Sequence, residues 1–433
     1  MPGNFHSERN FQDLELSDVK IAIVGLGYVG LPLSVEFGKK YPVTGFDINQ
    51  NRVLQLRKGL DITHEIDEES VRKAVSLTFA DKIEDIRDCN IYIITVPTPI
   101  DNNKQPDLKP LLHATNLVAG LLKKGDIVIY ESTVYPGCTE EDCVPELEKL
   151  SGLVFNKDFF CGYSPERINP GDKINTVTKI KKVTSGSTPE VAVFIDRLYS
   201  SIIEAGTFRA PSIKVAEASK IIENAQRDVN ISFVNELAMI FDRMGIDTNE
   251  VLTAAGTKWN FLNFKPGLVG GNCISVDPYY LLHKSKSLGY TPDIISSCRN
   301  VNDNMPVFVA NKFVKLLIRK GVPVNNAKVL LLGFSFKENV SDFRNTGVLN
   351  VYRELTDFGL NVSVYDPLIN GEEVFLEYGI KLIETPEEDY AGIMLSVAHE
   401  AFRNFGIEEY RNRGTLIFDV KSFWDKELVD ERL

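Results

Sequence analysis

The sequence predicts an α/β protein with two doubly wound parallel sheets joined by a long central helix. Two apolar runs, Val19 to Val24 and Ala327 to Leu332, each lead directly into a glycine. Runs without alternation indicate strands buried on both faces, as in parallel sheets covered by helices. Between them, Ser212 to Met244 contains no proline or glycine and repeats apolar residues at helical spacing.

Each apolar run begins a series of alternating helices and strands. In the first series a helix is predicted at Leu31 to Lys40, with strands at Val43 to Phe46, Ile91 to Val96 and Asp126 to Tyr130. In the second, a helix near Thr346 to Phe358 joins strands at Asn361 to Tyr365, Ile393 to Val397 and Leu416 to Val420. Because both series have βαβ order, we predict a Rossmann-like domain at each end of the chain.

These elements predict the domain boundaries. Residues 1–18 are a polar lead-in, 19–211 an N-terminal Rossmann domain, 212–305 a central helical domain and 306–433 a C-terminal Rossmann-like domain. The predicted central helix would be about 50 Å long at 1.5 Å per residue. We therefore expect it to bridge the two Rossmann-like domains and to supply the surface of a homodimer.

The bulk composition excludes several classes of protein. The 433 residues, 43% hydrophobic and 25% charged, are typical of a soluble chain of two or three domains. A net charge of −12 argues against a nucleic-acid partner. No apolar stretch is long enough for a membrane span, and residues 1–18 lack the apolar core of a signal peptide. Six scattered cysteines and five scattered histidines predict free thiols in a reducing cytoplasm and no metal site.

A glycine fingerprint, Gly25-Leu26-Gly27-Tyr28-Val29-Gly30, follows the first predicted strand. The pattern lets the backbone turn tightly and approach a pyrophosphate at the N-terminus of a helix. Asp47 ends the next strand, at about the 20-residue offset of a ribose-binding acid, which would repel a 2′-phosphate and so predicts NAD. Arg52 close by leaves some room for NADP. Thr98 is predicted at the carboxyl edge beside the cofactor, or else it only shapes a proline-rich turn.

A second glycine-rich segment, Pro266 to Pro278, contains Cys273. Three glycines before a cysteine give a loop with free backbone amides, which can bring a thiol to a substrate and hold an oxyanion. If a helix begins near Cys273, the helix dipole would favour the thiolate, and the side chains of Cys273 and Asp277 would lie on the same helix face. A lone cysteine is more often a small buried hydrophobe, and we assign that role to the other five.

A third candidate group lies on the predicted central helix. Lys220 and Asn224 are four residues apart and share a face, with Arg227 about one turn further along. A lysine beside an amide could stabilise a developing oxyanion. Alone, such a pair is usually solvated surface.

The motifs occur in a fixed order along the chain: Gly25 to Gly30, Ser132-Thr133, Ser164-Pro165-Glu166-Arg167, Lys220 with Asn224, Cys273 with Asp277, and Gly333-Phe334-Ser335-Phe336-Lys337 to Asp342-Phe343-Arg344. This ordered set resembles the UDP-glucose/GDP-mannose dehydrogenase family along nearly the whole chain. Two segments, Thr257-Lys258-Trp259-Asn260-Phe261 and Val276-Asp277-Pro278-Tyr279-Tyr280, are most similar to UDP-N-acetylhexosamine 6-dehydrogenases. The nearest resemblance is to the UDP-N-acetylglucosamine enzymes of Vi-type capsule and O-antigen synthesis.

The resemblance implies an NAD-dependent, four-electron oxidation of the C6 hydroxyl of UDP-GlcNAc or UDP-GalNAc to a uronic acid. It implies that Cys273 forms a thiohemiacetal and then a thioester with the sugar. Lys220 and Asp277 are the implied bases, and Lys220 with Asn224 would stabilise the oxyanions. Thr133 and Glu166 match positions that hold or activate the hydrolytic water. Alternatively, Thr133 is only a hydroxyl at the end of a strand, and Glu166 is an ordinary surface carboxylate.

The resemblance also implies a set of binding residues, with UDP held by the C-terminal domain. Contacts to sugar, uracil and diphosphate are implied for Arg167, Ile168, Lys220, Asn224, Arg227, Lys258, Gly270, Phe336, Lys337 and Lys421. Thr133 and Arg344 match positions that contact the cofactor.

Several positions depart from the family pattern. Asn272 and Ser275 stand where the nearest relatives usually have His and Pro or Gly, while Pro170 and Val276 replace a Glu and a Lys of the UDP-glucose enzymes. The latter pair favours an N-acetylated sugar. UDP-ManNAc and UDP-glucose remain alternative substrates. A two-electron β-hydroxyacid dehydrogenase and a catalytically silent nucleotide-sugar binding protein are alternative functions.

Overall fold

The computed structural model describes residues 11–63, 65–101, 103–168 and 174–433, without the side chains of Asp13, Asn272 and Cys273. The described chain divides into two compact units. The first runs to Glu223 and includes Tyr279–Lys284, and the second comprises Asn224–Pro278 and Ser285–Leu433.

The first unit is built on a six-stranded parallel sheet. Its strands are β1 Ile21–Val24, β2 Val43–Phe46, β3 Leu77–Ala80, β4 Ile91–Ile94, β5 Ile127–Tyr130 and β6 Phe160–Tyr163. They pair in the order β3-β2-β1-β4-β5-β6, which is the Rossmann order with its reversal between β1 and β4. A separate parallel pair is formed by β7 (Lys182–Thr184) and β8 (Thr207–Arg209). Every residue of β1, β4 and β5 is buried, as expected for strands covered on both faces.

Helices connect these strands. They are α1 Gly30–Gly38, α2 Gln50–Arg57, α3 Glu68–Lys73, α4 Lys109–Ala119, α5 Val144–Ser151 and α6 Pro189–Ser200. Short 3₁₀ turns occupy Phe11–Asp13, Leu16–Asp18 and Ile83–Ile86, and a π-helical turn occupies Thr139–Cys143. Side-chain caps fix three of the helix starts: Asn49 for α2, Asp67 for α3 and Thr188 for α6.

One long helix, α7 (Ile213–Met244), begins in the first unit and continues into the second. It ends where Gly245 takes a left-handed backbone conformation (φ +68°). Its buried positions include Ala216, Ile221 and Ala225. Lys220 and Asn224, which helical spacing places on one face, are buried as well.

The second unit contains a five-stranded parallel sheet. Its strands are β9 Lys328–Leu332, β10 Asn361–Tyr365, β11 Gly392–Leu395, β12 Leu416–Asp419 and β13 Glu431–Arg432, in the order β10-β9-β11-β12-β13. The helices that follow α7 are α8 Thr248–Gly256, α9 Gly271–Ser275, α10 Asp277–Ser287, α11 Asp293–Arg319, α12 Val348–Asp357, α13 Gly371–Tyr378 and α14 Ile407–Asn412. Glu400–Phe402 and Lys426–Leu428 are 3₁₀ turns. Apolar residues of α11 and α12 cover one face of the sheet, with Phe313, Val351 and Leu355 fully buried.

The predicted fold class is confirmed: the protein is α/β, with two Rossmann-like sheets and a long central helix. The predicted domain boundaries stay a prediction. Across the described ranges, none of the helices combines the length and apolar character that a membrane span needs. The same residues contain no group of three His, Cys, Asp or Glu side chains arranged to hold a metal ion.

Candidate active site

The glycine fingerprint forms the turn between β1 and α1. Gly25 has φ +100°, which favours glycine, and Gly30 is the first residue of α1. A Cβ added at Gly30 would overlap the Gly25 carbonyl and the Thr95 hydroxyl, whereas one added at Gly27 would meet no atom within 4 Å. The turn is therefore closed at its ends and open in the middle, which fits a pyrophosphate lying against the backbone.

Asp47 follows β2 and faces this turn. Its Oδ2 accepts a hydrogen bond from the Leu26 amide (2.8 Å) and its Oδ1 one from the Asn49 amide (2.8 Å). Arg52, the residue that left room for NADP, is buried; its Nε donates to the Leu26 carbonyl (3.0 Å) and its NH2 to Asp61 (2.8 Å). The Arg52 guanidinium thus holds the glycine turn in place. The Asp47 carboxylate is the charged group positioned to accept hydrogen bonds from a ribose bound there.

The loops after β4 and β5 meet at the carboxyl edge of the sheet. The Thr98 hydroxyl donates to the Thr133 carbonyl (2.7 Å), and the Ser132 hydroxyl donates to the Val96 carbonyl (2.6 Å). The Tyr280 hydroxyl donates to the Thr98 carbonyl (2.9 Å). Thr98 and Thr133 therefore lie together at the edge where a Rossmann domain binds its cofactor.

Glu166 follows β6 and is 8% exposed, so it is not the surface carboxylate of the alternative reading. Its Oε1 accepts from the amides of Arg167 (2.5 Å) and Ile168 (2.8 Å). Its Oε2 forms an ion pair with Lys182 on β7 (2.9 Å). The Arg167 guanidinium pairs with Glu223 (2.8 Å), while Ile168 packs against the apolar core of the first unit.

Lys220 and Asn224 are 8% and 3% exposed, so neither is solvated surface. The Asn224 amide donates to Asp277 Oδ2 (2.5 Å), and Arg227 donates to Asn224 Oδ1 (3.3 Å). Asp277 is 4% exposed and is the first residue of α10. The structure thus brings together Asn224, Arg227 and Asp277 in the second unit.

One turn before Lys220, Glu217 ties α7 to the loop that follows Thr133. Its buried carboxylate accepts from the amides of Gly137 (2.6 Å) and Thr139 (2.9 Å). Burial, which those hydrogen bonds offset only in part, raises the pKa of Glu217 to about 7 from its usual 4.5.

This raised pKa predicts a pH-dependent stability. A carboxyl with a higher pKa in the folded chain than in the unfolded chain stabilises the fold below pH 4.5, and this stabilisation is lost as pH rises through 7. In Glu217→Gln the position no longer titrates. We expect the free energy of unfolding of the variant to rise relative to that of the unsubstituted protein by about 2 kcal/mol between pH 5 and pH 8. Urea unfolding at both pH values measures this; a pH-independent difference would contradict it.

The loop that carries Cys273 is anchored on both sides. Before it, Asn235 of α7 accepts from the Gly267 amide (2.8 Å) and donates to the Gly267 carbonyl (3.1 Å). After it, Arg299 of α11 donates to the Ile274 carbonyl (3.2 Å) and pairs with Asp228 of α7 (2.5 Å). Because Asn235 and Asp228 lie on one helix, the loop ends are held at a fixed separation.

Cys273 is the third residue of α9, and its side chain lies outside the described part of the structure. A helix does begin beside the cysteine, as the conditional prediction required. It stops at Ser275, however, and Asp277 opens a separate helix after the turn at Val276. The two residues therefore do not share one continuous helix face.

A cleft in the second unit collects four of the implied substrate residues: Gly270, Phe336, Lys337 and Lys421. The Phe336 ring packs so closely on Gly271 (φ +73°) that an added Cβ there would lie 2.7 Å from it. Lys421 pairs with Glu338 (2.7 Å), which also lines the cleft. The cleft therefore offers an aromatic face beside cations, which suits a nucleotide carrying phosphates.

The base of this cleft is fixed by a buried cluster that the sequence did not reveal. Asp366, directly after β10, accepts from the amides of Phe334 (2.7 Å) and Ser335 (3.0 Å). His399 Nε2 contacts both Asp366 (3.0 Å) and Ser335 (3.1 Å), while Asn339 donates to its Nδ1 (2.9 Å). Asp366 thus repeats the position of the Rossmann acid in the first unit, but His399 covers it and it anchors the Phe336 loop.

Two implied residues are not gathered into these groups. Arg344 is half exposed and forms a bidentate pair with Asp342 (2.9 and 2.7 Å). Lys258 is exposed, next to Trp259, whose side chain is 92% exposed.

Sequence reasoning also missed Lys182, Glu131 and Tyr199, which surround Glu166. Lys182 stands beside Lys181 in the sequence, and two adjacent lysines are typical of surface. The one available signal was Glu131, which directly follows a fully apolar strand.

Models of one family match three parts of the chain. The NAD binding domain of the UDP-glucose/GDP-mannose dehydrogenase family matches residues 19–203, its central domain 214–304 and its UDP binding domain 330–426. These matches confirm the predicted NAD cofactor and identify a UDP-binding domain at the carboxyl end of the chain.

Individual relatives are similar over nearly their full lengths. The chain is 57% identical over 422 residues to UDP-N-acetyl-D-glucosamine 6-dehydrogenase of Pseudomonas aeruginosa, covering 96% of this chain and 100% of that protein. It is 54% identical to the Salmonella typhi enzyme of the same name, covering 96% and 99%. The solved structure of UDP-D-ManNAc dehydrogenase from Pyrococcus horikoshii matches with a TM-score of 0.87 and 29% identity, covering 96% and 98%. The resemblance seen in the sequence is confirmed, and the chain belongs to the UDP-glucose/GDP-mannose dehydrogenase family of NAD-dependent enzymes.

Proposed function

We propose that the protein oxidises the C6 hydroxyl of a UDP-N-acetylhexosamine, best supported as UDP-GlcNAc, to the uronic acid. The observation that carries the proposal is the buried Asn224–Asp277 pair at the end of the anchored Cys273 loop. Two oxidations at one carbon need a proton acceptor, a hydrogen-bond donor to an oxyanion and a nucleophile. Asp277, Asn224 and Cys273 supply these three groups in that order.

The overall reaction balances as one alcohol and one water giving one carboxylate, two hydrides and three protons. NAD, when bound, supplies the hydride acceptor, and the Gly25 to Gly30 turn with Asp47 would hold it, along with Thr98, Thr133 and Arg344. In the first oxidation Lys220 or Asp277 takes the C6 hydroxyl proton, directly or through water.

The second oxidation requires Cys273. Its sulfur bonds to the C6 aldehyde, and the tetrahedral adduct loses a hydride readily, whereas a bare aldehyde does not. Lys220 and Asn224 stabilise the adduct oxyanion, which collapses to a thioester. Water held by Thr133 and Glu166 then bonds to C6, the carbon–sulfur bond breaks, and Cys273 leaves as the thiolate.

The cleft of Gly270, Phe336, Lys337 and Lys421 is the proposed UDP site. Lys421 and Lys337 compensate the diphosphate charge, and the Phe336 backbone and ring border the nucleotide. Arg167, Ile168, Arg227 and Lys258 complete the proposed substrate set.

A homodimer, a cytoplasmic location and a role in bacterial surface polysaccharide synthesis belong to the same proposal. Exposed apolar residues line one face of α7: Ile222, Phe233, Ile240 and Met244 are each at least 42% exposed. This row supports the homodimer, and light scattering that gives the mass of a single chain would contradict it.

A substrate panel tests the choice of sugar. We expect kcat/KM for UDP-GlcNAc to exceed that for UDP-glucose by at least about 100-fold, because a site built to hydrogen-bond an N-acetyl group leaves its polar groups unpaired around a hydroxyl. NADH absorbance with UDP-GlcNAc, UDP-GalNAc, UDP-ManNAc and UDP-glucose measures it. UDP-GalNAc separates the two epimers, and equal kcat/KM values for UDP-glucose and UDP-GlcNAc would overturn the N-acetyl assignment.

A further inference from the structure

The carboxylate proposed to hold the hydrolytic water belongs to a group of four buried side chains. We call this group the Glu166 cluster: Glu166 after β6, Glu131 after β5, Lys182 on β7 and Tyr199 on α6. Lys182 is 2% exposed, Glu131 2% and Tyr199 0%. Because all four are buried, the Lys182 ammonium is the positive charge inside the cluster that compensates its carboxyl groups.

The hydrogen bonds run inward from Tyr199 to Glu166. The Tyr199 hydroxyl donates to Glu131 Oε1, and Lys182 Nζ donates to Glu131 Oε2 (2.7 Å) and to Glu166 Oε2 (2.9 Å). The Lys182 ammonium also lies 5.7 Å from the centre of the Tyr199 ring, within reach of a cation–π contact. Lys182 therefore bridges the two carboxylates, and Glu131 and Tyr199 hold the lysine in place.

Glu166 is left with little freedom. A carboxylate oxygen accepts about two hydrogen bonds, so Oε1 is saturated by the amides of Arg167 and Ile168. Among the described residues, Oε2 has one contact, with Lys182, and keeps one position for a further donor. Burial acts to raise the pKa of Glu166, but the Lys182 ammonium and the two amides outweigh it and hold the pKa below its usual value.

The shared lysine affects its second partner differently. Burial raises the pKa of Glu131, and the Lys182 ammonium offsets that rise only in part. Tyr199 is the remaining titratable group of the cluster, and burial raises its pKa well above the usual value. The Arg167 guanidinium, nearest in sequence, is committed to Glu223. Of the charged groups that the structure describes around Glu166, Lys182 is thus the one that favours its anion.

We propose that Lys182 is a positioning residue for thioester hydrolysis, which keeps Glu166 an anion with a single open acceptor site for water. The inference rests on the proposed function and deepens it. In the hydrolysis, the oxygen of the oriented water bonds to C6, the carbon–sulfur bond breaks, and the water protons pass to solvent as the uronate ionises. Lys182 touches none of the reacting atoms and acts only through Glu166. Because Glu166 is assigned to hydrolysis, we expect the effect of Lys182 to be confined to this last step.

The test compares two adjacent lysines. Lys182→Met removes the buried ammonium, whereas Lys181→Met makes the same change at an exposed side chain. With UDP-GlcNAc and NAD, rapid quench and intact mass follow the acyl adduct on Cys273, and NADH absorbance follows the two oxidations. For Lys182→Met we expect both oxidations to proceed at the rate of the unsubstituted protein. Hydrolysis of the thioester should be about 10- to 100-fold slower at pH 7, so that the acyl-enzyme accumulates.

The pH profile separates charge from packing. Without Lys182 the anion of Glu166 is disfavoured, so the acid limb of the hydrolysis rate should move up by at least one pH unit. Lys181→Met should leave the limb in place, and Glu131→Gln, which keeps the lysine, should not move it upward. Should Lys182→Met not fold, the double variant Lys182→Met/Glu131→Gln removes one charge of each sign and should show the same upward shift.

The outcomes distinguish this inference from the proposed function. If no Cys273 adduct and no second NADH appear in any variant, the proposed function fails. If the adduct forms but is hydrolysed in Lys182→Met at the unsubstituted rate and with an unmoved acid limb, the Lys182 inference alone fails. It also fails if Glu131→Gln moves the limb upward as Lys182→Met does, because loss of packing would then explain both.

Discussion

Replacing Cys273 by alanine is expected to abolish uronate formation, with a fall in its rate of at least about 10⁴-fold, the scale seen when a covalent nucleophile is removed. The first oxidation needs a base and a hydride acceptor but no thiol. The variant should therefore still release up to one NADH per sugar and stop at the aldehyde. Semicarbazide trapping of the aldehyde, with mass analysis of the nucleotide sugar, measures this directly.

Cys298→Ala is the matched control for this prediction. Cys298 is a free cysteine on α11 to which we assign no role in the chemistry. Its replacement should leave uronate formation within a few-fold of the unsubstituted rate. Uronate production by Cys273→Ala at a rate similar to this control would rule out the covalent route.

Replacing Lys220 by methionine should produce the second-largest loss. The side chain is 8% exposed on α7, one turn from the Asn224 amide that bonds Asp277. Removal of an amine that accepts a proton, or of an ammonium that stabilises an oxyanion, costs about 10³-fold in kcat. Since the lysine acts mainly on the reacting carbon, KM for the UDP-sugar should change much less than kcat.

Lys214→Met provides the comparison on the same helix. Lys214 is exposed and pairs with Glu141 (3.0 Å), and a surface ion pair of this kind contributes little. Steady-state rates for both variants, with NADH absorbance as the readout, decide the matter. A fall of less than 10-fold in kcat for Lys220→Met would remove Lys220 from the proposed chemistry.

Local patterns predicted the buried framework well. The strand Val43–Phe46 was predicted with its observed bounds, and the central helix with its observed end at Met244, because apolar runs and the absence of proline and glycine are local signals. The strand predicted at Ile393 to Val397 lies at Gly392–Leu395 instead. Residue 392 is a glycine because the Phe313 ring of α11 fills the space that its side chain would occupy (2.7 Å to an added Cβ). No local sequence pattern records this contact, so the start of the strand at Gly392 was missed.

Other elements carry too little signal to be found. β3 has exposed or half-buried positions at its start, and β6 (Phe-Cys-Gly-Tyr) is short and contains a glycine. Their burial depends on neighbouring strands that are distant in sequence.

The candidate site divides in the same way. The glycine turn and the Cys273 loop were predicted because each is a contiguous motif, and Asp47 because it ends the next strand. Lys220 and Asn224 were predicted through the resemblance to the family, since helical spacing alone would leave the pair as solvated surface. Lys182 and His399 escaped because each depends on a partner far along the chain: Glu131 is 51 residues from Lys182, and Asp366 is 33 residues from His399.

The ratio of NADH released to uronate formed shows whether Cys273 carries the sugar between the two oxidations. With limiting UDP-GlcNAc and excess NAD, we expect two NADH for each uronate and no free aldehyde, because the sugar stays bonded to Cys273 between the oxidations. One NADH per sugar, with an aldehyde or ketone as the product, would contradict it.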